Sequence, residues 1–173
     1  MKYFLYIFIL LLLAGSIYLW DASWRYDQQV YCPEARSYQM FKKEIKNSSI
    51  KDFYQNHVND SLFRFPRKKV AQIVIIRNKP VFGRLFQKPL NNKQQEGLLH
   101  FLNNQANFSW HPNKMSFSDA GRILIFYDQN RQIIGKLWLC ASCGSIKLSP
   151  FAPATKYGKI KRDKIPLLLK ILE

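Results

Sequence analysis

The longest apolar stretch opens the chain: no charged residue interrupts positions 3–20, and Tyr3, Tyr6, Tyr18 and Trp20 stand towards its two ends. A helix needs ~20 apolar residues to cross ~30 Å of hydrocarbon, and aromatic side chains anchor such spans at the headgroup level. Residues 1–20 therefore read as a transmembrane anchor. Lys2, the apolar run to Leu13 and the small triplet Ala14-Gly15-Ser16 also satisfy the pattern of a cleaved signal peptide, so both forms stand open. Orientation follows from size. A two-residue tail stays inside, while a long C-terminal domain translocates largely regardless of its charge.

Residues 21–33 read as a juxtamembrane linker and 34–173 as one exported domain, since about 150 residues fit a single core. Residues 34–46 (EARSYQMFKKEIK) follow Pro33 and place Met40, Phe41 and Ile45 on one helical stripe. Positions 48–69 carry Phe53, Tyr54, Leu62, Phe63 and Phe65 without a clean period, which predicts a short helix and then an irregular approach to the first strand. That strand is 70–76 (VAQIVII), with 81–86 read as its returning partner. Asn91 or Asn92 caps a helix that buries Leu98, Leu99 and Leu102 and ends near Asn104.

The strongest strand patterns are 122–127 (RILIFY) and 133–139 (IIGKLWL), joined across Asp128-Gln129-Asn130-Arg131 into an antiparallel hairpin. Residues 146–149 add a third strand, Pro150, Pro153 and Gly158 mark a loop, and Asp163 caps a final helix carrying Leu167, Leu168, Ile171 and Leu172. Helices and strands segregate rather than alternate. The predicted class is α+β: one small domain with an antiparallel sheet around the 122–139 hairpin, flanked by helices.

Charge narrows the range of partners. Lys and Arg number 27 against 11 Asp and Glu, a formal net charge of +16. The candidate basic surface is Arg67, Lys68 and Lys69 together with Lys159, Lys161, Arg162 and Lys164. Such a surface attracts anionic lipid headgroups, acidic polymers or nucleic acid without naming any of them. Nucleic acid is disfavoured by the anchor and by the lack of a recognisable reading module.

Chemistry is concentrated at Cys140-Ala141-Ser142-Cys143-Gly144, at the end of the second strong strand. A CxxC of this kind closes a small disulfide ring, serves thiol-disulfide exchange, or gives half of a zinc site. Exchange wants a helix N-terminus to lower the first thiol's pKa, whereas residues 144–150 (GSIKLSP) read as strand. Zinc wants two further ligands, and Cys32, His57, His100 and His111 are scattered. The structural disulfide is the preferred reading. The histidines read as non-ligating: His57 on a surface segment, His100 on a helix flank, His111 in a loop. Cys32 is left as an odd thiol, unpaired or bridging two anchored copies. No G-x-S-x-G, H-E-x-x-H or close carboxylate pair points to hydrolysis, and capping or turn formation accounts for Asp119 and Asp128. No catalytic residue, metal or cofactor is expected.

The succession 90–104 (LNNKQQEGLLHFLNN), 122–130 (RILIFYDQN), 139–143 (LCASC) and the closing 165–172 helix resembles a group of small exported bacterial proteins and lipoproteins. In that group a helix ending in a leucine-asparagine stretch precedes an FYD hairpin, a CxxC, a short strand and a terminal helix. The resemblance covers about the last 85 residues. It departs from the pattern at 109–117, where Trp110, His111 and Pro112 replace an expected cysteine near a proline. It implies export and a CxxC-bearing hairpin, with Cys140 and Cys143 matching residue by residue, and it implies nothing about a substrate. The expected function is a basic, non-enzymatic interaction domain. Its place is the bacterial inner membrane with the C-terminal domain in the periplasm, or the periplasm itself if the signal is cleaved. The alternatives are a redox or zinc module at the CxxC and an immunity-type inhibitor of an envelope-targeting toxin.

Overall fold

A computed structural model of the chain describes residues 2–29, 49–77, 87–111 and 120–173, with side chains of the first helix described from Tyr3 to Tyr18. The expected helix at 34–46, the expected strand at 81–86, Cys32 and Asp119 lie outside the described residues.

Helix α1 (Lys2–Gln29) continues past Trp20 through the first part of the stretch read as a linker. Its side chains from Tyr3 to Tyr18 are all exposed. Among the described residues no helix is long and apolar enough to cross a membrane.

The domain is an antiparallel sheet with helices packed on one face, the α+β architecture that the pattern predicts. Its strands are β1 (Gln72–Arg77), β2 (Lys88–Pro89), β3 (Phe108–Ser109), β4 (Arg122–Tyr127), β5 (Ile133–Cys140), β6 (Ser145–Ser149) and β7 (Lys159–Ile160). Among the described residues the order is β2-β1-β4-β5-β6-β7-β3. The β4–β5 hairpin forms as expected, closed by Asp128, whose Oδ1 accepts from the amides of Asn130 and Gln132, both at 2.9 Å. The left-handed residue of that turn is Arg131, at φ 58°, rather than Asn130.

Period-two alternation gives the sheet two buried faces. Ile73, Ile75, Leu124, Phe126, Leu137, Leu139 and Ile146 meet Leu98, Phe101 and Leu102 of α3 (Asn92–Leu102) and Leu168 and Leu172 of α4 (Ile165–Leu172). Val74, Ile76, Ile125, Lys136, Trp138 and Cys140 are buried on the other face. Lys136 is 1% exposed, its Nζ 5.6 Å from the centre of the Trp138 ring. A lysine alternating with apolar residues reads as a solvent position when one face is expected to be wet; here both faces are covered.

Several local expectations are corrected. The first strand begins at Gln72, and its outer neighbour among the described residues is the two-residue β2. Asp163 does not cap α4. It lies in a 3-10 turn, Arg162–Lys164, and its carboxylate pairs with Lys164 at 3.3 Å, while Pro166 in the first turn of α4 leaves one fewer amide to satisfy. The cap of α3 is Asn91, in a reciprocal box with Gln94.

Candidate functional site

Helix α2 (Ile50–His57) organises the most chemically distinctive region. Ser49 caps it, its Oγ accepting from the Asp52 amide at 3.2 Å. Phe53, Tyr54 and His57 share the inward side of this short helix. Phe53 and His57 pack on Phe63 at ring separations of 5.6 and 4.8 Å, and Phe53 meets His57 at 4.6 Å. His57 is therefore half-buried among rings rather than on an open surface segment. Tyr54 meets Trp110, Phe151 and Tyr157 edge to face at 5.6, 5.0 and 5.6 Å, and Trp110 and Tyr157 stand 5.7 Å apart. Burial, and then the neighbouring Tyr157, push the Tyr54 hydroxyl far above its ordinary range, so it stays neutral.

Cations stand at both ends of this aromatic cluster. At the Trp110 end, Lys51 and Lys156 hold their Nζ atoms 5.9 and 5.2 Å from the ring centre. At the Phe63 end, the Arg67 guanidinium lies 5.6 Å from the ring centre. Each such contact is worth about 0.5–1 kcal/mol where water has access. Lys156 is the most constrained of the three. Its backbone is left-handed at φ 52°, its Nζ donates to the Phe108 carbonyl at 2.9 Å, and desolvation, with the Lys161 charge beside it, lowers its pKa. Two like charges crowded against a ring make a place that an anion would relieve.

The seven basic residues singled out from the sequence divide. Arg67 joins the cluster, with its Nε buried and lacking a hydrogen-bond partner. Lys161 borders Lys156. Lys68, Lys69 and Arg162 are exposed. Lys159 donates to the Cys143 carbonyl and Lys164 pairs with Asp163, so both are engaged within the fold. Sequence reasoning missed Lys51, Trp110, Lys156 and Tyr157. The available signal was the adjacency of lysine and aromatic residues at 51–54 and 156–157.

Cys140 and Cys143 stand at disulfide-bonding distance, their Cα atoms 5.5 Å apart, in the turn between β5 and β6. No helix begins there to activate a thiolate, and the Cys143 amide points at the Cys140 sulfur at 3.2 Å. Among the described residues no three His, Cys, Asp or Glu side chains gather as a metal site. His100 is exposed on α3 and His111 is exposed at the end of a described segment.

Beside the Phe63 end, an open polar cavity of about 470 Å³ is lined by Asp60, Arg64, His100, Asn103 and Gln105 among others. Asp60 accepts from the Leu62 amide at 2.9 Å and pairs with His57 Nδ1 at 3.2 Å; these bonds, the backbone one foremost, hold its carboxyl below the ordinary range. Its carboxylate beside Arg64 makes this cavity a mixed-charge wall rather than a dedicated anion pocket.

The chain matches no protein-family profile, no curated protein and no solved structure.

Proposed function

We propose that the chain is a membrane-tethered, envelope-facing binding domain that holds an anionic partner against cations seated on an aromatic cluster, without catalysing a reaction. The observation that carries this reading is the meeting of Lys51, Lys156 and Arg67, from three separate segments, on one continuous set of rings. Rings fix the cations in place, so less side-chain entropy is lost when an anion arrives, and the chain's +16 charge draws anions in from a distance.

The tether is α1. Its described side chains have no protein cover, and in the sequence the uncharged run continues to Trp20. An apolar helix bare on all sides belongs in hydrocarbon. The disulfide-distance pair suits an oxidising compartment. In this reading the anchor lies in a bacterial inner membrane and the domain in the periplasm, the address that the resemblance to exported bacterial proteins implies.

The test is polyphosphate binding by the full chain in detergent micelles across a salt series. Lys51→Ala with Lys156→Ala should weaken binding about tenfold, two cation–anion contacts of roughly 0.7 kcal/mol each at a water-accessible site. Lys93→Ala with Lys170→Ala removes the same charge from exposed helix positions and should cost far less. Equal losses in the two pairs would reduce the site to diffuse charge.

A further inference from the structure

Outside α1, the large apolar side chains that are well exposed among the described residues are Leu62, at 67%, and Leu167, at 48%. Leu62 stands in a 3-10 turn, Ser61–Phe63, that leads directly into Arg64, Arg67, Lys68 and Lys69. The turn is held from below. Asp60 caps it through the Leu62 amide, Phe63 is anchored among Phe53 and His57, and Asn103 clamps Phe65 two residues on: its Oδ1 accepts from the Phe65 amide at 2.9 Å and its Nδ2 donates to the Phe65 carbonyl at 2.6 Å. Leu62 is thus presented outward on a braced turn, and Arg64, Arg67, Lys68 and Lys69 follow it within seven residues.

The geometry points to residues 61–69 as a docking loop for the anionic headgroup layer of the same bilayer that holds α1, with Leu62 entering the acyl boundary and Arg64, Arg67, Lys68 and Lys69 meeting lipid phosphates. This rests on the tethered, anion-binding reading above and names its partner. An amphipathic element binds a membrane by apolar insertion together with electrostatic attraction, and each basic residue near an anionic surface contributes roughly fivefold in affinity. Neither contribution has to be large. The connection from Gln29 to Ser49 spans at most about 72 Å even when extended, so the loop meets the bilayer at high effective concentration. A protein partner could also take an exposed leucine. The run of cations that follows it, with no carboxylate between Leu62 and Lys69, favours a uniform sheet of phosphates instead.

The experiment is amide hydrogen exchange on the full chain in nanodiscs of phosphatidylcholine alone or with phosphatidylglycerol. Docking predicts slowing of exchange over 61–69 by about tenfold in the anionic discs only, reversed by high salt and by Leu62→Asp, with rates in β4 and β5 unchanged. Leu62 is exposed, so this variant leaves the core intact, and Lys68→Glu with Lys69→Glu should act in the same way. Identical exchange over 61–69 in both kinds of disc overturns the docking loop. Slowing by soluble polyphosphate in neutral discs, with none from phosphatidylglycerol, overturns it while leaving the anion-binding reading standing. Release of the chain from both kinds of disc overturns both.

Discussion

Gly144 is the residue on which the CxxC turn depends. It adopts φ 59°, and its carbonyl accepts the Ile160 amide at 3.0 Å, which fastens β7 to the end of the hairpin. A β-carbon there would lie 2.6 Å from the Ile165 Cδ1, a flexible tip that can turn aside, so the lasting cost is the left-handed backbone. Gly144→Ala should destabilise the domain by about 1–2 kcal/mol in a denaturant titration, and an unchanged midpoint would contradict this assignment. Asp60 works through a different property. A carboxyl whose folded pKa is depressed adds stability that is complete above its unfolded value of about 3.9 and is lost as pH falls through the lower folded value. Protection of the Leu62 amide, taken relative to its intrinsic exchange rate at each pH, should hold steady from about pH 7 to 5 and fall only in stronger acid. Asp60→Asn keeps an acceptor for that amide and should remove the pH dependence; opening of the turn between about pH 5 and 7 would contradict the account.

Among the elements, those with long, period-two apolar runs were legible. Residues 122–127 and 133–139 had no plausible alternative to strands, and Asn91 before an apolar helical stripe marked α3. The two-residue strands β2, β3 and β7 were not legible, because two residues carry no period and form only when the sheet offers an edge. The aromatic cluster escaped for the same kind of reason. Its rings come from α2, the 61–63 turn, the segment after β3 and the turns around Tyr157, and no local rule joins residues so far apart. The CxxC turn, by contrast, is local, and its place at the end of a strand could be read directly. Asn103 shows how one side chain joins elements: besides clamping Phe65 it donates to the Leu99 carbonyl at 2.9 Å, closing α3. Asn103→Ala should cost about 1–3 kcal/mol and speed exchange across 61–65 before the rest of the domain, as seen by hydrogen exchange. A uniform change across the sheet would show that the clamp is not local.

At the scale of the whole molecule, the proposed tethered arrangement joins three features: an apolar helix whose described side chains lack protein cover, a strongly basic domain and a cysteine pair at bonding distance. The most direct measurement is labelling of intact cells with a membrane-impermeant maleimide, with and without prior reduction, in a Cys32→Ser chain. Cys143 is exposed and Cys140 is buried, so Cys143 should dominate. The account predicts no labelling before reduction and labelling of Cys143 on intact cells after it. Labelling that requires lysis, and then proceeds without reduction, would place the domain in the cytoplasm with free thiols and contradict the account.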